Sequence, residues 1–194
     1  MARRILPLVI VALAGCLPDL PKDIHIEARF TDEETAILEE AIAEADRELG
    51  MELLGHSILT YKGRYDDPDG FTVEDFDDGI PTVYVLREDS PEYRWVENAT
   101  DRGYGGYATL AEIHMVYRYL PPPDATEEQR LEMRGNFKGI MLHELGHFLG
   151  MAHNPEPGTI MCSSERCGPR PETYSLGDKR DFCFLYDCPA PPTE

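Results

Sequence analysis

Basic residues are scarce in this chain. Its 194 residues include 18 Lys or Arg against 37 Asp or Glu, a formal charge of −19 at pH 7. So few cations leave little with which to neutralise phosphates, which argues against nucleic-acid and polybasic functions and for a soluble, self-repelling surface. Cysteine is sparse as well: residues 17–161 have none, and the five present are Cys16, Cys162, Cys167, Cys183 and Cys188. Long hydrophobic runs are also missing, since the apolar stretch at residues 5–13 is too short to cross a bilayer.

That stretch follows Arg3 and Arg4 and ends in Ala14 and Gly15 just before Cys16. A charged head, a short apolar run and small residues at its end describe a secretory signal over residues 1–15, not a membrane-spanning anchor. The run Leu13-Ala14-Gly15-Cys16 resembles the lipobox of bacterial lipoproteins, which implies that Cys16 is the lipidated first residue of the mature chain. The alternative is an ordinary signal peptide with an incidental cysteine. Setting Cys16 aside leaves an even number of cysteines, and in an exported protein Cys162, Cys167, Cys183 and Cys188 read as two disulfides. All three pairings of these four cysteines stay open, with a slight preference for bonds tying the loop of Cys162 and Cys167 to the last helix, since they close larger loops. Leu17 after the lipidated cysteine, by resemblance to the usual sorting rule, implies the outer membrane or cell surface rather than the inner membrane. Removal of residues 1–15 takes away Arg3 and Arg4, moves the charge from −19 to −21 and leaves 179 residues. That length suffices for one domain with its own core, expected over residues 24–194 behind a proline-containing tether at 16–23.

Within that domain, residues 24–30 alternate apolar and polar, the period of a half-buried strand, with His25 on the solvated face. Thr31 and Glu34 form a capping box, and Ile37, Leu38, Ala41, Ile42, Ala45 and Leu49 recur at helical spacing up to Gly50. Further strands are expected at residues 57–61, 81–86, 103–109 and 112–119, with His114 on a strand face. His56 has no partner at ligand spacing and takes a structural or solvent role. Residues 66–78, DDPDGFTVEDFDD, form an acidic loop; a solvated connection is the simple reading, and calcium is the alternative, although the spacing is not an EF-hand. Three prolines at 121–123 precede a second capping box, Thr126 with Gln129, and a helix predicted from Glu127 to Leu149. Leu131, Ile140, Leu142, Leu145, Phe148 and Leu149 are its expected core-facing residues. A last helix opens at Ser175 and runs to about Tyr186.

The second of these helices carries the chemistry. Residues 143–153 read HELGHFLGMAH, that is H-E-x-x-H-x-x-G-x-x-H. Side chains four apart share a helix face, so His143 and His147 can reach one ion. Gly150 permits a left-handed turn that doubles the chain back and brings His153 up as a third ligand. Three histidines with one open position describe a catalytic zinc site, whereas four protein ligands would describe a structural one. Glu144 lies about 100° round the helix from His143, where it can face the reacting water without binding the metal, and is the candidate general base.

With Met161 eight positions beyond His153, this pattern resembles the metzincin metallopeptidases, whose zinc motif is followed by a methionine-containing turn under the metal. The resemblance implies a metzincin-type catalytic domain of α+β (α/β-like) class, a twisted mixed five-stranded sheet with three main helices. It also implies that Gly106-Tyr107-Ala108 is the edge strand that pairs with extended substrate, and that the loop carrying Arg166 and Arg170 walls the pocket for the residue just beyond the scissile bond. The overall form looks matrixin-like, with departures. Asn154 follows the third histidine where matrixins usually have serine, and Ser163 stands where other metzincins carry a tyrosine ligand, so no fifth protein ligand is expected. The histidine-bearing structural-zinc segment of matrixins is missing. The short span between Cys16 and the first expected strand leaves no room for a long inhibitory propeptide, and an enzyme active once exported is the simpler expectation. Arg166-Cys167-Gly168 superficially resembles the matrixin cysteine switch but follows the zinc helix instead of preceding the domain; a disulfide role for Cys167 is preferred.

These readings converge on a monomeric, lipid-anchored bacterial zinc metalloendopeptidase acting on protein or peptide substrates and held at the membrane by Cys16. Zinc would lower the pKa of its bound water towards ~7 and polarise the scissile carbonyl. Two alternatives stay open: a catalytically silent zinc-containing lipoprotein with a binding or structural role, and a zinc hydrolase of a non-peptide amide.

Overall fold

A computed structural model describes residues 24–27, 30–50, 59–61, 81–85, 106–108, 112–115, 118–162, 167 and 170–189. Among them run β1 (His25–Glu27), α1 (Asp32–Leu49), β2 (Leu59–Tyr61), β3 (Thr82–Val85), β4 (Gly106–Ala108), β5 (Glu112–Met115), α2 (Glu127–Phe148) and α3 (Leu176–Tyr186). This is a mixed α/β arrangement with three helices and a small, largely parallel sheet. β1 pairs in parallel with β2 and β3, β3 pairs in parallel with β5, and β4 runs antiparallel to β5, in the order β2-β1-β3-β5-β4. The described strands are shorter than the stretches expected from alternation, and the segments at 62–80 and 86–105 that connect them lie outside the described residues, as does His56.

Each helix begins where its capping residues require. Thr31 accepts the Glu34 N–H at 3.2 Å while the Glu34 carboxylate accepts the Thr31 N–H at 2.9 Å, and Thr126 with Gln129 repeats the exchange. Gly50 ends α1 with φ of +69°, a left-handed conformation that glycine adopts without the Cβ penalty. All six apolar positions expected in α1 are buried; each larger one contributes about 1.5–3 kcal/mol against exposure.

α2 is the central element, packed against α1, β4 and β5. From Gly135 onward nearly every residue is buried, so no single apolar stripe marks its inward face. Lys138 is buried among these and ion-pairs with Glu40 and Glu44 of α1 at 2.8 and 3.5 Å. Five of the six predicted core residues of α2 are buried, but Leu131 is 58% exposed. It shares a face with Lys138 and Leu145, yet sits in the first turns of the helix, where residues 126–132 are exposed or half-exposed.

Two histidines differ from a simple surface reading. His25 is half-buried, because β1 lies between two neighbours instead of at an edge. His114 is a strand-face histidine, but a buried one, stacked on Tyr84 with ring centroids 5.2 Å apart. Burial pushes its pKa down to about 3 and keeps it neutral.

Candidate metal centre

The helix that places His143 and His147 stops at Phe148, with Leu149 as its cap. Gly150 follows with φ of +85°; its N–H donates to His147 O at 2.8 Å, and the Met151 N–H donates back to Gly146 O at 2.8 Å. These bonds satisfy helix-end carbonyls and reverse the chain. The consequence is the expected one: ring nitrogens of His143, His147 and His153 lie within 4.8 Å of one another. His143 is buried, His147 half-buried and His153 exposed, so the group opens to solvent on one side.

The rings are oriented by backbone. His143 Nδ1 lies 2.7 Å from Ile160 O and His147 Nδ1 lies 2.9 Å from Met151 O. A carbonyl can only accept, so each Nδ1 carries the proton and each Nε2 presents a lone pair. His147 Nε2 and His153 Nε2 converge to 2.9 Å. Burial lowers all three imidazoles, His143 to about 3, which keeps them in the neutral form that binds metal. Backbone acceptors behind ligating histidines are the usual means of fixing tautomer and ring angle at a metal site. The donor set fits a zinc ion held by three imidazoles with a position left open.

Glu144 is buried beside this group. Burial pushes its carboxyl up to about 8, and the Arg170 guanidinium pulls in the opposite direction. Its side chain lies against β4: a Cβ added at Gly106 would stand 2.6 Å from Glu144 Cγ and 2.9 Å from Oε1. The strand Gly106–Ala108 does occupy one edge of the sheet order, next to β5 and packed on α2. No sequence signal connected its glycine to the catalytic candidate; only the close approach of strand to helix reveals it.

Met161 is fully buried, and a Cβ at Gly146 would meet its sulfur at 2.2 Å. Gly146, an unspecified position inside the motif, is therefore what lets the methionine lie against α2. Asp178, also unforeseen as a site residue, is fully buried and accepts the N–H groups of Ile160 at 2.9 Å, Met161 at 3.1 Å and Ser175 at 2.8 Å, and the Ser175 hydroxyl at 2.7 Å. Asn154 N–H donates to Met161 O at 2.9 Å, and buried Tyr174 donates to Leu142 O at 2.7 Å. The methionine turn is thus held from both sides.

The disulfides correct the expected pairing. Cys162 joins Cys167, and Cys183 joins Cys188, each five residues apart, instead of crossing from the loop to the last helix. α3 ends at Tyr186 and Asp187 adopts φ of +52°, turning Cys188 back until its N–H donates to Cys183 O at 3.2 Å. Local reversal thereby outweighs the preference for a larger closed loop. Cys167, bonded to Cys162, takes the disulfide role and not that of a switch. Cys16, the acidic loop at 66–78, Ser163 and Arg166 lie outside the described residues, and the side chain of Tyr107 is likewise outside them.

The sequence profile of the Matrixin family matches residues 22–182. Among solved structures, that of archaemetzincin from Methanopyrus kandleri is similar with a TM-score of 0.48 at 14% identity, over 86% of this chain and 96% of that one. No curated protein matches.

Proposed function

This chain belongs to the matrixin family of peptidases, and on that premise we propose that it is a zinc metalloendopeptidase of metzincin type, its sheet being the five-stranded sheet of that fold in a single domain over residues 24–194. The observation that carries the reading is the convergence of three neutral imidazoles within 4.8 Å, two of them locked by backbone carbonyls, with a buried carboxylate on the same helical turn. His143, His147 and His153 would hold the zinc. When bound, the ion supplies a Lewis acid to the scissile carbonyl and to the attacking water.

The remaining steps belong to the protein's own side chains. Glu144 accepts a proton from the water as its oxygen attacks the carbonyl carbon, then delivers that proton to the amine that leaves as the C–N bond breaks. Its burial supports this role, because a carboxyl held in a poor solvent for charge both takes and gives a proton near neutrality. The β4 edge aligns extended substrate by backbone pairing, which holds the scissile bond beside Glu144. Export with Cys16 carrying lipid at the outer membrane or cell surface, as a monomer, completes the proposal. It is supported by the residues before Cys16 and by two disulfides that suit an oxidising compartment. No helix among the described residues is long and apolar enough to cross a membrane.

The test compares wild type with Glu144→Gln on a mixed peptide library, with metal analysis of both. Equal zinc and a loss of cleavage of about 10²- to 10⁴-fold in the variant are expected. A wild type that binds zinc but cleaves nothing would sink the peptidase reading, and a variant with comparable activity would remove Glu144 from the mechanism.

A further inference from the structure

Arg170 follows the methionine turn and is fixed from below by α2. A Cβ at Gly139 would stand 2.9 Å from Pro171 O and 3.0 Å from Arg170 Cβ, and one at Gly135 would meet the Glu172 carboxylate at 2.5 Å. Two glycines one turn apart thus let residues 170–172 rest directly on α2, and Gly139, against which Arg170 packs, lies one turn before His143. Side chains four apart share a helix face, so the contact at Gly139 brings Arg170 up beside His143. Burial lowers the guanidinium itself, while the Glu144 carboxylate acts to raise it.

The guanidinium is not fully used by the fold. Its Nη1 is buried from water and makes no hydrogen bond among the described residues. Structural arginines in such surroundings satisfy their planar fork with carboxylates or carbonyls, because an unmet charged donor is costly. Glu144 is packed against Gly106, and among the described residues Arg170 Nη1 makes no hydrogen bond to it. A chain of charge −19 otherwise repels anions, so a fixed cation beside the reacting centre is a local exception to its field. The geometry of a flat fork with a free N–H matches a carboxylate, which can accept two parallel bonds from it.

We infer that Arg170 is a specificity-determining residue that receives a carboxylate of the bound peptide, supplied either by an Asp or Glu side chain near the cleaved bond or by the free C-terminus of the substrate. The inference rests on the peptidase reading, but its test need not. The full-length zinc-loaded protein is given peptide sets that differ only in Asp against Asn, or Glu against Gln, at each position from three before to three after the cleaved bond. A second set compares free with amidated C-termini.

At one position, or at the C-terminus, the acid form should be preferred by about 10- to 100-fold in kcat/KM, mostly through KM. That ratio should fall to near one in Arg170→Gln and be kept in part by Arg170→Lys, which retains charge without the fork. Calorimetric binding of the same peptides to Glu144→Gln protein, with and without Arg170→Gln, gives a readout that needs no turnover. An acid preference in binding that depends on Arg170 supports the carboxylate site even if the wild type proves inactive, an outcome that overturns only the peptidase reading. A wild-type ratio near one at every position, or a ratio unchanged by Arg170→Gln, overturns the proposal.

Discussion

The carboxylate of Asp178 in α3 accepts the backbone N–H of Met161 at 3.1 Å, while the Met161 sulfur lies where a side chain at Gly146 would have to go. The turn beneath the histidines is therefore suspended between two helices, and the far one acts through a single buried side chain. With Ile160 N–H on its other oxygen and Ile160 O behind His143, Asp178 is one residue removed from a proposed metal ligand.

From this follows a graded effect of substitution. Ser175→Ala should cost about 1 kcal/mol, the usual price of a lost cap. Asp178→Asn keeps the size but turns an amide towards several N–H donors and should cost about 2–4 kcal/mol. Denaturant unfolding measures both, and zinc titration should show weaker binding only for Asp178→Asn. If the two variants lose the same stability, Asp178 serves as a cap and nothing more.

Gly106→Ala addresses the contact between edge strand and the proposed base, Glu144. Its new methyl would lie 2.6 Å from Glu144 Cγ, a point too near the backbone to swing aside freely. We expect kcat to fall about 10- to 100-fold, since a displacement near 1 Å of a catalytic group costs on that scale, while zinc content stays at the wild-type level. Unchanged kcat would show that the strand yields instead of Glu144.

Much of this arrangement was legible in the sequence, and the exceptions have a common cause. His143, His147, Gly150 and His153 are related by helical geometry and one turn, so spacing alone determines where they meet. The capping boxes at Thr31 and Thr126 are equally local, and both helices begin there. Gly106, Gly146 and Asp178 act on partners across the fold, and no periodicity records a contact between elements distant in sequence. Leu131 failed because an apolar residue on the right face can still lie beyond the core. The disulfides failed because the loop-closure preference assumes a flexible chain, whereas the left-handed Asp187 had already brought Cys188 to Cys183.

Acid stability should depend on Glu34. It is fully buried, accepts Arg118 at 2.6 and 2.5 Å, and takes the Tyr119 N–H at 3.2 Å. Burial by itself would raise its carboxyl, but the bonds from Arg118 and Thr31 outweigh that and hold it below the ordinary 4.5. A depressed folded pKa means that this stabilisation is complete above the unfolded value and is lost as pH falls through the folded one. Arg118→Met strands a buried charge and should cost about 3–5 kcal/mol at pH 7. Without its partner the carboxyl rises, so the slope reverses and the variant should regain part of that loss on acidification towards pH 5. Urea unfolding at several pH values decides it; a constant difference between the two proteins would show that Glu34 does not titrate with folding.

Zinc should couple to stability through the same histidines. The three rings are already convergent and neutral, with His143 and His147 braced by Ile160 O and Met151 O, so the ion binds the folded chain in preference to the unfolded one. Free zinc at one hundred times its dissociation constant should then raise the unfolding free energy by about 2.7 kcal/mol, and chelation should remove that increment. His147→Ala should abolish the dependence, because two remaining imidazoles offer too few ligands. Glu144→Gln should keep it in full, since the base faces the water without holding the metal. Urea titrations at fixed free zinc separate these cases. A zinc dependence that survives His147→Ala would place the ion elsewhere in the molecule, and one lost in Glu144→Gln would make Glu144 a ligand and leave the reaction without its proposed base.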